Sequence, residues 1–302
     1  MAVRALLVTN PNAGRVRGET SVANIRQLLA ASGFEVEPVP AEDRDAIATR
    51  LAEMLRGSRP EETRVVAAGG DGTIHSVLPA LQQTGIPLVI LPVGSVNVLA
   101  RELGIPLSLK AAVEVAASGQ PRRVDLGLAD GRPFALMAGL GFDAAVVHSV
   151  SHRVKGLIGS FAYVAKGLQL LARQPLSTFS LTADDSVTES TAWLAVVANA
   201  SRYTYGWQLS PDARIDDGWL DLCLFEATSP ARKLRQAAAA LAGRHASCPG
   251  VRHIRARRLE LAPDPPVALQ LDGDAAGYSP VSIHVAPGAL AVVVPSGHTP
   301  RD

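Results

Sequence analysis

The sequence predicts an α/β N-terminal domain, a parallel sheet with helices on both faces, followed by a C-terminal antiparallel β-sandwich domain with a helical insertion. Three observations predict it. Strand-length apolar runs alternate with helix-spaced ones between residues 4 and 91, the order that builds parallel sheets. The glycine turn Gly69-Gly70-Asp71-Gly72 follows one of those strands and precedes a helix. Beyond residue 122, short apolar runs bounded by turn residues replace the helical spacing, as in stacked antiparallel sheets.

Taken in order, residues 4–9 form a first strand that ends in the turn composition Asn10-Pro11-Asn12-Ala13-Gly14. Val22, Ile25, Leu28 and Leu29 recur at helical spacing, and Gly33 closes that helix. Residues 34–39 make a second strand and 46–55 a second helix, with Ile47, Leu51, Met54 and Leu55 on one side. Residues 65–68 are the third strand. The helix after the glycine turn carries Val77, Leu78 and Leu81, and Thr73 is placed to cap it. Strand 87–91 runs into the turn Pro92-Val93-Gly94-Ser95-Val96-Asn97, and 110–117 is a further helix. Asp130-Gly131 reads as a turn joining strands 124–128 and 134–139. More strands are expected at 177–182, 191–198, 220–225, 258–261, 267–271, 281–285 and 290–294. Between Asp143 and Pro175, apolar residues such as Val147, Val150, Leu157, Phe161 and Leu168 stand among His152, Arg153, Lys155, Lys166 and Arg173. That pattern suits a face that meets lipid, and packing against the sandwich accounts for it equally well. The tail 296–302 reads as frayed.

Composition narrows the function classes. A chain of 302 residues, 47% hydrophobic and 19% charged, belongs with globular proteins and has room for two cores. A formal net charge of +1 argues against a nucleic-acid partner. Cys223 and Cys248 lack metal-ligand spacing to one another, so a reducing compartment is the natural reading. The run Ala5-Leu6-Leu7-Val8 is too short for a signal-peptide core, and no stretch approaches the roughly 18 to 20 apolar residues of a spanning helix. The expectation is a cytoplasmic protein whose membrane contact is peripheral.

The chemistry concentrates in polar turns at the carboxyl ends of the parallel strands, where ligands bind in such sheets. Three glycines among residues 69–72 remove Cβ atoms, so successive N–H groups can face an anion, and Asp71 can hold a metal ion that accompanies phosphates. Ser95 and Asn97 are the ligand-facing groups of the next turn, although Ser95 also suits helix capping. Alone, Gly-Gly-Asp-Gly is equally compatible with a turn that needs glycine for geometry only.

In combination and in this order, Asn10-Pro11-x-x-Gly14, Gly69-Gly70-Asp71-Gly72-Thr73 and Pro92-x-Gly94-Ser95-x-Asn97 resemble the diacylglycerol kinase catalytic domain. The resemblance continues through Gly139-x-Gly141-Phe142-Asp143-Ala144, Asp216-Asp217-Gly218-Trp219-Leu220-Asp221 and Leu271-Asp272-Gly273-Asp274. It covers nearly the whole chain and is strongest toward bacterial soluble lipid kinases, the group that also resembles sphingosine kinases. It implies ATP-dependent transfer of the γ-phosphoryl group to the hydroxyl of a membrane lipid such as diacylglycerol. Carried over by position, Asn10, the run Gly69, Gly70, Asp71, Gly72, Thr73, Ile74 and His75, and Gly94, Ser95 and Asn97 would hold the nucleotide. Asp71 would serve a catalytic Mg²⁺, with Asp125 acting through water. A structural Mg²⁺ would take the Asp217 carboxylate and the backbone carbonyls of Arg214 and Trp219, although an ordinary Asp-Gly hairpin would use the same residues. Asp274 would be the general base that accepts the lipid hydroxyl proton.

On this basis residues 1–122 form the nucleotide-binding domain, with about 288–302 returning to it, and 123–287 form the lipid-substrate domain. The partner is a lipid at the membrane surface, and a homodimer is left open. Three positions depart from the family pattern. Asp274 replaces Glu, which shortens the reach by about 1.5 Å; Val98 stands where many members carry Asp; Pro40 falls near where members often have a nucleotide-contacting Thr. Those departures keep a nucleotide- or lipid-binding regulator without catalysis as one alternative. An NAD kinase-like enzyme, which also uses Gly-Gly-Asp-Gly, is the other, but the chain has no Asn-Glu pair for the nicotinamide-side ribose. The basic runs Arg232-Lys233-x-Arg235 and Arg252-His253-x-Arg255-x-Arg257-Arg258 either dock anionic lipid or form solvated faces.

Overall fold

Val65, Val66, Ala67 and Ala68 are buried without interruption, as a strand covered on both faces by helices requires. They belong to β3 (Thr63–Gly69), which lies beside β1 (Val3–Thr9) and β4 (Leu88–Pro92). With β2 (Phe34–Pro38) these strands run parallel in the order β2-β1-β3-β4. The computed structural model describes residues 2–9, 21–40, 44–149, 176–204, 207–227 and 229–297. Asn10 and its turn, positions 150–175 of the expected insertion, and the end of the tail from 298 lie outside the described residues.

The chain divides into two units, Met1–Leu126 with Ala286–Asp302, and Gly127–Val285. In the first, α1 (Val22–Ala31) follows β1, α2 (Arg44–Met54) follows β2, and α3 (Asp71–Leu81) follows β3. Helix α1 starts where the Ser21 side chain accepts the Asn24 N–H at 3.3 Å, and it buries Ile25 and Leu29. Two more helices, α4 (Val98–Glu102) and α5 (Leu109–Ser118), come after β4. Strand β5 (Gln120–Ala129) then leads toward the second unit.

Asp130 and Gly131 both take positive φ, +46° and +79°, and turn the chain from β5 into β6 (Arg132–Phe134). Gly127 pairs with Phe134, whose ring occupies the space a Cβ would need. Two antiparallel arrays follow. One orders β15 (Arg258–Asp264), β8 (Ser177–Ala183) and β9 (Ser186–Ala192), with the start of β18 (Val281–Val294) on β15. The other orders β14 (Val251–Ala256), β13 (Leu220–Phe225), β10 (Leu194–Ala198), β7 (Met137–Gly141), β16 (Ala268–Leu271) and β17 (Asp274–Tyr278). Leu220, Leu222 and Leu224 from β13 meet Phe179, Leu181, Leu259 and Leu261 in one buried core, the alternation of a sandwich. A two-stranded ribbon, β11 (Arg202–Thr204) and β12 (Trp207–Gln208), and helix α6 (Phe142–Ser149) complete the strands' surroundings.

Four expectations need correction. The strand expected at 191–198 is two strands in different sheets, β9 and β10, broken at the buried Trp193. The strand expected at 134–139 breaks at Ala135 and Leu136, whose N–H groups are captured by a side chain described below. The strands expected at 281–285 and 290–294 are one strand, β18. Gly288 inside it has φ +58° and donates its N–H to Asp125 at 2.7 Å, so Pro287-Gly288 bends the strand instead of ending it. Finally, Arg232-Lys233-x-Arg235 lies on an unexpected helix, α7 (Pro230–Leu241), capped by Ser229. It turns Lys233 and Gln236 inward. Both cysteines are free, and no helix among the described residues is long and apolar enough to cross a membrane.

Candidate functional site

In the first unit, β3 breaks at Gly69 and α3 begins only two residues later. Gly70 is the N-cap in extended conformation and has no side chain with which to cap the helix. Thr73 is therefore not the cap. It is the third helical residue, buried, with its side chain filling the space beside Gly69 where a Cβ would stand. The Thr73 and Ile74 N–H groups return to the Gly70 carbonyl at 2.9 and 3.2 Å. The dipole of a helix that starts on glycine favours an anion at this end. Ile74 points into the core and His75 is half-buried.

The turn after β4 touches this one backbone to backbone. Gly94 N–H donates to the Gly69 carbonyl at 3.2 Å, and a Cβ on Gly70 would sit 3.4 Å from Gly94 Cα. A Cβ on Gly94 would overlap Gly70 outright, so glycine is required by this approach. Asn97 braces the turn from a left-handed conformation, φ +54°. Its Nδ2 donates to the Pro92 and Gly94 carbonyls at 3.1 and 3.0 Å, while its Oδ1 is buried with no partner in the protein. Asp71 Oδ1 accepts the Leu99 N–H at 3.1 Å and so ties α3 to the start of α4. Ser95 is exposed, and the α4 cap position belongs to Asn97. The structure thus gathers Gly69 to Thr73, Gly94 and Asn97 into one cluster. Asp125 is buried and committed in part to Gly288.

In the second unit, Asp274 opens β17, half-buried, just after the turn Asp272-Gly273, whose φ values are +49° and +84°. Sequence reasoning missed what fixes that turn. The Asp272 carboxylate accepts three backbone N–H groups, from Ala135 at 2.7 Å, Leu136 at 2.8 Å and Met137 at 3.0 Å. Gly273 N–H donates to Gln270 Oε1 at 2.6 Å, and Gln270 Nε2 donates to Asp143 Oδ2 at 2.7 Å. Gly139 leaves room for that pair, since a Cβ there would collide with both side chains. Two motifs more than a hundred residues apart in sequence are therefore one bonded assembly. The signal was present in the adjacent Asp272 and Asp274 and in the glycine spacing 139–141, but no periodicity links such distant segments.

The loop before β13 places Asp217 with its Oδ1 accepting the Trp219 N–H at 3.0 Å and its Oδ2 against the Arg255 guanidinium. Trp219 lies under two cations, with Arg257 at 4.5 Å and Arg255 at 5.4 Å from its ring centre. Asp221 Oδ2 is buried without a partner; burial pushes its carboxyl above the usual range, Arg255 opposes this, and Asp217 and Asp212 add to it. That orphaned oxygen is one buried acceptor open to a hard cation, and it adds Asp221 to the predicted residues. The basic run 252–258 is not a bare patch. Arg252 pairs with Glu226 at 3.1 Å and Arg258 with Glu260 at 3.0 Å, besides the contacts of Arg255 and Arg257 just given.

The diacylglycerol kinase catalytic domain matches residues 4–129, and the YegS C-terminal NAD kinase beta sandwich-like domain matches residues 137–294. A diacylglycerol kinase of Bacillus subtilis (strain 168) is 29% identical over 281 residues, covering 92% of this chain and 91% of that protein. One from Staphylococcus saprophyticus is 27% identical over 282 residues, covering 93% and 92%. A solved Bacillus anthracis str. Sterne protein provisionally assigned as a diacylglycerol kinase superposes with a TM-score of 0.79 at 21% identity, covering 99% of both chains. Yeast NADH kinase superposes with a TM-score of 0.52 at 13% identity, covering 98% of this chain and 84% of that one. At those identities the two solved structures speak for the fold alone.

Proposed function

Because this chain belongs to the diacylglycerol kinase family, with its catalytic domain joined to a YegS-type sandwich, we propose that it uses ATP to phosphorylate the hydroxyl of diacylglycerol or a close lipid alcohol. The observation that carries the nucleotide half of this reading is the contact of Gly70 with Gly94. It keeps Cβ atoms away from the start of α3, and backbone N–H groups with a helix dipole are what a phosphate needs. The unpartnered Asn97 Oδ1 supplies an acceptor for an N–H or O–H of the nucleotide.

Asp71 would hold Mg²⁺ with Asp125 acting through water, and Mg²⁺ when bound would neutralise phosphate charge. A second Mg²⁺ would sit at Asp217, the carbonyls of Arg214 and Trp219, and Asp221. The chain's own residues do the rest. Glycine backbone positions the phosphates, and the Asp274 carboxylate accepts the alcohol proton so that the oxygen can attack. The turn clamped by Asp272 and Gln270 fixes where Asp274 stands. The lipid is met at the membrane surface, and the protein docks there peripherally.

The test supplies the purified protein with labelled ATP, Mg²⁺ and mixed micelles of diacylglycerol. Label in phosphatidic acid supports the reading. No labelled lipid, with NAD⁺ phosphorylated instead, would replace it with the NAD kinase-like alternative; tight ATP binding with neither product would replace it with the regulator.

A further inference from the structure

Strands β13 and β14 pair Cys223 with His253, and Cys223 Sγ lies 3.9 Å from His253 Nε2. Their neighbours Leu222 and Ile254 face the sandwich core, so by strand alternation this pair faces the opposite side of the sheet. A 3-10 turn, His245–Ser247, covers that side. It stacks His245 on Phe225 and sets its ring 5.9 Å from that of His253. One donor atom from each of Cys223, His245 and His253 lies within 4.8 Å of the others, a convergence of His, Cys and acidic groups found nowhere else among the described residues.

His245 makes this more than proximity. It is fully buried, its Nε2 meets the Leu209 carbonyl, and its Nδ1 has no partner. A carbonyl accepts only from a protonated nitrogen, so Nε2 carries the hydrogen and Nδ1 keeps a buried, unused lone pair. An imidazole held by a backbone carbonyl through one nitrogen, with the other free, has the arrangement of a metal ligand.

We infer that Cys223, His245 and His253 bind one divalent cation of borderline softness, Zn²⁺ being the best match, on the face of the sheet turned away from the sandwich core. A thiolate with two imidazoles selects Zn²⁺ or Co²⁺ over Mg²⁺. Without metal, burial pushes the Cys223 thiol up to about 12 and holds His253 below its usual range, with His245 acting in the same direction and Asp212 opposing. Binding therefore expels one proton from Cys223 to solvent as the metal–sulfur bond forms. Tetrahedral coordination needs donors about 3.5 Å apart. The exposed His253 side chain is the one free to close that distance, and water completes the fourth position.

The experiment uses the untagged full chain carrying Cys248→Ala, so that Cys223 is the sole thiol. Chelator-stripped protein is titrated with Co²⁺, then with Zn²⁺. The expected result is one Co²⁺ per chain, a thiolate-to-cobalt charge-transfer band, its loss on adding Zn²⁺, and a rise in Tm with either ion. Cys223→Ser abolishes the band, and His253→Ala, at an exposed position that leaves the near-UV circular dichroism unchanged, weakens Co²⁺ at least tenfold. Absence of stoichiometric Co²⁺, binding without the band, or a band that survives His253→Ala at full affinity would each overturn the assignment.

Discussion

Replacing Asp272 by alanine removes an acceptor of three backbone N–H groups at 2.7, 2.8 and 3.0 Å. Hydrogen bonds to a charged group are worth about 1.5–3 kcal/mol each. Here three bonds share one half-buried carboxylate, and discounting for that gives about 3–5 kcal/mol lost in Asp272→Ala. Asparagine tolerates the positive φ of +49° and keeps an acceptor oxygen for Leu136 and Met137. Its amide, however, points donors at the Ala135 N–H, so Asp272→Asn should cost about 2 kcal/mol. Urea unfolding of the full chain followed by near-UV circular dichroism reads both values, with the slope m unchanged if only the folded state is affected. A loss in Asp272→Ala below about 0.5 kcal/mol, the ordinary range of a surface substitution, would refute the clamp.

Asp274→Asn should lower kcat by about 10²–10⁴ with little change in ATP affinity, measured by micelle assay and nucleotide titration. Gly94→Ala, which forces a Cβ into Gly70 and to 2.8 Å from Asn97 Oδ1, should cost about 1–3 kcal/mol and raise the KM for ATP. In chelator-treated native protein, iodoacetamide at mildly alkaline pH should label Cys248 and spare Cys223. Since the Cys223 thiol is raised from 9.0 to about 12, its neutral form persists through that range, and its thiolate appears only as pH climbs toward the upper value. Mass spectrometry of the alkylated peptides checks it.

The parallel half of the fold was legible because strands buried on both faces and helices buried on one leave different periods, as at 65–68 and at Ile25 and Leu29. The glycine turns were legible as a pair of phosphate-type loops, but their contact was not, since Gly70 and Gly94 are joined only by the pairing of β3 with β4. Where the reading failed, local composition competed with tertiary demand. The apolar run 191–198 carries no mark of the sheet change at Trp193, which is held by a hydrogen bond to Gln236 at 2.8 Å. The charges of α7 disguised a helix that buries Lys233. Pro287-Gly288 resembles a turn until the Asp125 carboxylate, 163 residues away, takes the glycine N–H. Thr73 fits the cap composition, yet the helix starts earlier because glycine at position 70 can serve.

Strand β18 also imposes an order in time. Chains emerge from the ribosome with the N-terminus first, and domains begin to fold as they emerge. Strands β1 to β4 are complete once residue 92 has been made, but β4 gains Val292 as its partner only once synthesis has reached that residue. During that interval one edge of Leu88–Pro92, every residue of which is buried in the finished protein, stands open as a template for strand addition by other chains. A strand that begins only at Val281 closes the sheet begun at β1, so a translational stop anywhere before residue 281 leaves that apolar edge exposed for the life of the fragment.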